Sequence, residues 1–310
     1  MNKEQFIKKN MKISKVFNYL KHEDPFAKGI SFCPGCALEL LLRFIPQVLG
    51  NDIIITGTPS CSAPVLLGQN LGSWHKLAYY GTLMTGAAAN ATGLVRYYNK
   101  ADINNTVICF NGDGTAADIG LGNLSGAAQR NDPFIYICYD NEGYMNTGIQ
   151  SSSTTPYGAK TTTTLKGKVT RGKNLPLIMA MHKIPYVATS SLHNLEDLAK
   201  KLLKAKEKKN EGFCFIHVYT PCPTGWGIPS NSTIELCRMA TKTNYYMLWE
   251  AEDGYFKLTF ENKQAKHVTE YLQMIKKFQH LTEEDIGIIQ KDVDYNYSLL
   301  KNLCNLDISH

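Results

Sequence analysis

The 310-residue chain lacks any apolar run approaching the roughly 20 residues that a spanning helix needs, so no membrane span is expected. Met1 to Lys21 carries a Lys8-Lys9 pair but no apolar stretch and no small-residue cleavage site. It does not read as a secretory signal, and a cytoplasmic location is expected. There is no internal repeat, and no low-complexity segment apart from Thr161 to Thr164. Charge of one sign is in short supply: the net charge of +6 is a mild excess. No dense basic run is interleaved with aromatic residues, so nucleic-acid binding is not expected. The Lys-rich stretch Lys200 to Lys209 reads as the solvated face of a helix. A basic surface of that kind would still attract an acidic protein. The nine cysteines are odd in number and unevenly spaced, which argues against a disulfide framework. The close-set cysteine run of a ferredoxin is also missing.

Short β-branched or apolar runs alternate with longer helical patterns. Strands are expected at Ile53 to Thr56, Thr106 to Phe110, Phe134 to Tyr139, Tyr186 to Thr189 and Phe213 to Tyr219. Helices are expected at Ala37 to Val48, Gly81 to Tyr98, Gly120 to Arg130, Leu195 to Lys209 and Thr233 to Thr241. This rhythm predicts an α/β fold: a mostly parallel sheet with helices on both faces, its strands apolar on both sides. One domain spanning 1–310 accounts for the chain, with a cysteine-bearing loop near its start and a helical extension from about 255. In that extension Lys263 to Leu303 reads as two helices, with Thr282 as an N-cap and no chemistry. Gly143 to Lys173 is rich in Ser, Thr and Gly without a period, as functional or mobile loops are.

The most informative local pattern is Asn111-Gly112-Asp113-Gly114, which directly follows a buried strand and precedes a helix. Ligands bind outside the carboxyl ends of parallel strands, so Asp113 stands where a ligand would sit. Gly112 and Gly114 let the backbone approach an anion closely. The next strand ends at Asp140-Asn141-Glu142-Gly143. Asp113 and Asn141 both offer hard oxygen donors, which with a carbonyl, diphosphate oxygens and water would complete an octahedral Mg²⁺ site. Glu142, beside them, reads as solvated.

Cys109, Cys138 and Cys214 lie in apolar strand-like runs and Cys237 and Cys304 in helical patterns, where packing is the default role. Cys33, Cys36, Cys61 and Cys222 remain, each at an element boundary. Four soft ligands from three loops suit a structural zinc or a [4Fe–4S] cluster, which the spacing alone does not separate, and unrelated core cysteines are the third reading. His75 and His217 read as satisfied histidines in or beside strands.

These features together resemble the β subunit of 2-oxoacid:ferredoxin oxidoreductases. The likeness runs from about Cys33 to Asp253. It is strongest over Asn141 to Gln150, Thr155 to Ala159, the Thr161 to Thr164 run and Pro221 to Trp226, where it favours the pyruvate type over the 2-oxoglutarate type. The resemblance implies a thiamine diphosphate held through Mg²⁺ by Asp113, Asn141 and the carbonyl of Gly143, with Gly112 and Gly114 against the diphosphate. It implies a [4Fe–4S] cluster on Cys33, Cys36, Cys61 and Cys222, and it sets Asn146 at the substrate side of the thiazolium as the catalytic residue. The implied reaction is reversible oxidative decarboxylation of pyruvate or a related 2-oxoacid to an acyl-CoA, with electrons passing to ferredoxin. It implies partner subunits as well: an α-type subunit with the pyrimidine-binding domain, and γ and δ subunits, the last ferredoxin-like. From the residues alone, two other readings stand: a non-redox thiamine decarboxylase or carboligase with a Cys₄ zinc site, and a non-catalytic cofactor-binding scaffold.

Overall fold

A computed structural model describes residues 15–67, 75–262 and 264–306. The Lys8-Lys9 pair and Lys263 lie outside the described residues. Among the described residues no helix is long and apolar enough to cross a membrane.

Eight strands form one sheet: β1 (Ile53–Gly57), β2 (Ala78–Gly81), β3 (Thr106–Gly112), β4 (Ile135–Asp140), β5 (Tyr186–Ser191), β6 (Cys214–Tyr219), β7 (Trp249–Glu252) and β8 (Tyr255–Leu258). Their order is β2-β1-β3-β4-β6-β5-β7-β8. The first six run parallel, and β7 and β8 add an antiparallel edge. Every residue of β3, β4 and β6 is buried, as the near-continuous apolar runs require.

The main helices are α1 (Ala37–Leu49), α2 (Ala87–Lys100), α3 (Leu121–Gln129), α4 (Leu175–Ala180), α5 (Leu195–Lys208), α6 (Thr233–Lys242) and α7 (Glu283–Asn305). The period-2 alternation of the strands divides the core. Ile108, Phe110, Ile135 and Ile137 face α1, α5, α6 and the C-terminal extension. Val107, Cys109, Tyr136 and Cys138 face α2, α3 and α4. Helices cover both faces, as expected.

Three expectations are corrected. The helix expected from Gly81 starts at Ala87, because Ala78–Gly81 is a largely exposed edge strand paired with β1 and carries no alternation to announce it. The β7–β8 hairpin was not expected, although Asp253-Gly254, both at positive φ, is the two-residue turn such hairpins favour. In the extension only α7 is a long helix, opened by a Thr282–Asp285 capping box. The segment before it is broken into the turns Thr269–Leu272 and Lys276–Phe278.

Candidate functional site

Because β1, β3, β4 and β6 are neighbours, the loops that follow them open on one edge of the sheet. Those loops carry Cys61, Asp113, Asn141 and Cys222 in turn. The chain leaves β1 towards β2 on one side and returns as β3 on the other, so the crevice between the tips of β1 and β3 is the topological switch point. A narrow cleft lies there, lined by Cys61, Gly112, Asp113, Gly114, Asn141 and Gly143, with Asn146 also at its wall. A larger hollow opens on the far side of Glu142, towards His217 and Tyr246, and none of the expected site residues line it.

Asp113 starts a π-turn, Gly114–Ile119, closed by the Gly120 N–H donating to the Thr115 carbonyl at 2.8 Å. Such turns recur at functional sites. The Asp113 carboxyl is fully buried. Burial, then the neighbouring Asp140, pushes its pKa well above the usual range. Ser152 Oγ donates to its Oδ2 at 2.6 Å and Thr154 Oγ1 at 2.8 Å, while the Asn141 N–H donates to Oδ1 at 3.3 Å. These partners are hydroxyls and an amide. A carboxylate kept in such a place is a fit ligand for a cation, whose charge would offset the burial.

The Asn141 amide gives a second sign. With its oxygen inward, it stands 3.1 Å from Asp113 Oδ1 and 2.8 Å from the Gly143 carbonyl, acceptor facing acceptor. Turned over, its NH₂ donates to both. The two distances from the inward oxygen are close to the roughly 3 Å between adjacent oxygens of an octahedron with Mg–O bonds near 2.1 Å. The three residues therefore fit a hard divalent cation. Gly114 keeps the cleft floor flat: a Cβ there would come 2.4 Å from the Tyr144 ring, whose hydroxyl donates to the Gly114 carbonyl at 3.0 Å.

The four cysteines of the sequence pattern are neighbours. The thiol of Cys36 feels the charges of Cys222 and Cys33, and that of Cys61 feels Cys222, Cys36, Cys33 and Asp113. Burial pushes Cys36 up to about 11 and Cys61 up to about 12, and raises Cys222 too. The Gly225 N–H donates to Cys222 Sγ at 3.2 Å, and the Glu39 and Leu38 amides at the start of α1 draw Cys36 the other way. Amides aimed at sulfur favour the thiolate form that metals bind. Among the described residues no three His, Cys, Asp or Glu side chains are drawn together tightly enough to close on a single ion. Cys109, Cys138, Cys214 and Cys237 are buried core residues.

Asn146 is exposed, at the tip of the turn that the Tyr144–Gln150 bridge closes. His217 sits between Tyr246, at 2.8 Å from Nδ1, and Asp140, at 3.2 Å from Nε2. His75 bridges to Phe26, away from the cleft wall. Glu142 is not solvated: it is buried and paired with Lys277. Lys201, within the stretch read as a solvated face, is also buried, held by Asp197 at 2.7 Å and the Thr189 carbonyl at 2.8 Å. Sequence reasoning missed Ser152, Thr154 and Lys277. The hydroxyl-rich run Ser151 to Thr155 was the one signal for the first two. The loop that holds it is no free strap, since Lys168 Nζ donates to the carbonyls of Ser152, Ser153 and Thr155 at 3.0, 3.2 and 2.6 Å.

Known proteins share this fold and its cofactor class. Residues 59–218 match the family described as thiamine pyrophosphate enzyme, C-terminal TPP binding domain. Pyruvate synthase subunit PorB of Methanothermobacter thermautotrophicus is 43% identical, over 89% of this chain and 96% of its own length. Ketoisovalerate oxidoreductase subunit VorB of Pyrococcus abyssi is 39% identical, over 93% of this chain and 96% of its own. A 2-oxoglutarate:ferredoxin oxidoreductase from Magnetococcus marinus, solved with 2-oxoglutarate, coenzyme A and succinyl-CoA bound, shares the fold. It has a TM-score of 0.55 at 22% identity and covers 74% of this chain and 82% of that one. With a thiamine-diphosphate domain across its centre and relatives matched along almost their whole length, this chain belongs to the β subunits of the 2-oxoacid:ferredoxin oxidoreductases.

Proposed function

We propose that the chain is the β subunit of a pyruvate-type enzyme that oxidatively decarboxylates pyruvate to acetyl-CoA, reversibly, and passes the electrons to ferredoxin. One observation carries the reading. The oxygens of Asp113, Asn141 and Gly143 converge at adjacent strand tips, and four thiols stand within reach of one another's charge beside them. The pyruvate synthase relatives support the substrate, and the block from Asn141 to Gln150 agrees. When bound, thiamine diphosphate supplies an electron-accepting thiazolium and an iron–sulfur cluster supplies one-electron capacity.

The chain's own residues do the rest. Asp113 and Asn141 by side chain, and Gly143 by its carbonyl, hold Mg²⁺ and through it the diphosphate. Gly112 and Gly114 leave the backbone free to meet the phosphate oxygens. Cys33, Cys36, Cys61 and Cys222 would hold the [4Fe–4S] cluster beside that anchor, where it would supply one-electron capacity. Asn146, at the rim, offers its amide to the substrate. The pyrimidine end, coenzyme A and the outward electron path fall to an α-type subunit and to γ and δ subunits in a cytoplasmic complex.

The test is anoxic purification of the assembled complex with cofactor and metal analysis. Asp113→Ala should lose bound thiamine diphosphate and keep iron. Cys222→Ser should lose iron and keep thiamine diphosphate. Thiamine diphosphate retained by Asp113→Ala overturns the anchor, and colourless, zinc-containing wild-type protein overturns the redox role.

A further inference from the structure

Glu142 lies between Asn141 and Gly143, and its backbone is left-handed, with φ +59°. A non-glycine residue there is strained and persists only where its surroundings enforce it. That turn is what brings the Gly143 carbonyl back to the Asn141 amide. Four contacts hold it. The Glu142 N–H donates to Asp140 Oδ1 at 2.8 Å, and Thr155 Oγ1 donates to the Glu142 carbonyl at 2.7 Å. Tyr245 donates to Glu142 Oε1 at 3.0 Å. Lys277 pairs with Glu142 Oε2, both side chains being almost wholly buried at 4% and 6% exposure.

Lys277 comes from the Lys276–Phe278 turn, 135 residues further along the chain. Its ammonium lies 3.7 Å from the centroid of the Trp226 ring. Trp226 in turn donates through Nε1 to the Asn141 carbonyl at 2.9 Å. Trp226 closes the short helical turn that Cys222 begins, and the Lys277 charge bears on the Cys222 thiol. One buried ammonium therefore touches the turn that carries the oxygen ligands and stands beside the turn that carries a thiol ligand.

We infer that Lys277 is a positioning residue for both centres: it locks the Asn141-Glu142-Gly143 turn through Glu142 and sets a fixed positive charge beside Cys222. This rests on the reading of the site given above. A buried cation favours the more negative, reduced state of a neighbouring cluster, while Glu142 partly offsets it. The two members of the pair therefore act oppositely on the potential and alike on the turn.

The experiment uses the assembled complex, purified without oxygen, in four forms: wild type, Lys277→Met, Glu142→Gln and Lys277→Arg. Thiamine diphosphate affinity at fixed Mg²⁺ is measured by calorimetry on cofactor-stripped enzyme, and the cluster midpoint potential by spin-resonance-monitored titration. Both single charge removals should weaken thiamine diphosphate binding about 10- to 100-fold, the range seen when outer partners of metal ligands are lost. Lys277→Met should shift the potential to more negative values and Glu142→Gln to more positive ones. Lys277→Arg, which keeps the charge, should hold the potential at the wild-type value. A merely structural pair would not split the potential by sign. If Lys277→Met fails to assemble, Glu142→Gln decides alone: unchanged affinity and potential overturn the inference. If both fail, the double variant, which buries no charge, is measured instead. Wild-type affinity in the double variant, or weakened affinity together with lost iron and a lowered melting midpoint, then overturns the inference; weakened affinity at wild-type iron content and midpoint sustains it. A wild-type complex without thiamine diphosphate or iron defeats the earlier reading instead, which separates the two failures.

Discussion

At the scale of single residues, the candidate site turns on the buried Asp113 carboxyl and the hydroxyls that meet it. Thr154 Oγ1 stands 2.8 Å from Asp113 Oδ2 and 3.1 Å from Asp140 Oδ1, so one hydroxyl serves two acidic groups. Ser152 adds a second donor to Asp113. Replacing Thr154 by Val keeps the shape and removes the donor. Hydrogen bonds to charged groups contribute about 1.5–3 kcal/mol. We expect Thr154→Val to weaken Mg²⁺-dependent thiamine diphosphate binding by about 10-fold or more, with iron content unchanged; titration of stripped complex checks this. Asp113 and Asn141 were legible in the sequence because each ends a strand in a recognisable turn. Ser152 and Thr154 were not, since nothing local says that a hydroxyl 39 or 41 residues away in sequence will meet Asp113.

At the scale of elements, the cysteine loops are fastened to each other by backbone approach. Gly35, at φ +73°, has the Ser230 carbonyl oxygen where a Cβ would be, at 1.9 Å. Thr233 at the start of α6 donates to the Gly35 carbonyl at 2.7 Å. The loop of Cys33 and Cys36 is thereby held against the segment that follows Cys222. Gly35→Ala must push these apart and strain the backbone, at a cost of about 2 kcal/mol or more. The expected result is a lower urea midpoint together with less iron per chain; wild-type iron at lowered stability would show that the contact serves folding alone. The helices and central strands were legible from their periods. The edge strand β2 and the broken turns before α7 were not, because short elements carry little pattern.

At the scale of the whole molecule, ligand binding and stability are one equilibrium. A ligand that binds only the folded state at about 100 times its dissociation constant adds about 2.7 kcal/mol. Thiamine diphosphate with Mg²⁺ should therefore raise the thermal midpoint of the assembled complex, and the Asp113→Ala complex should show no rise in a melting assay. The sequence by itself determined the alternation of strands and helices and the turn that presents Asp113, and it separated the core cysteines Cys109, Cys138, Cys214 and Cys237 from those in loops. All of these are written in spacings of a few residues, where backbone geometry and side-chain period act directly. Tertiary structure alone decided that β1, β3, β4 and β6 stand side by side, so that loops far apart in sequence share one edge. It alone turned Glu142 inward to meet Lys277 from an extension that showed no chemistry in its own residues. Strand order and buried ion pairs are fixed by packing between distant segments, and no local pattern encodes which segments will meet.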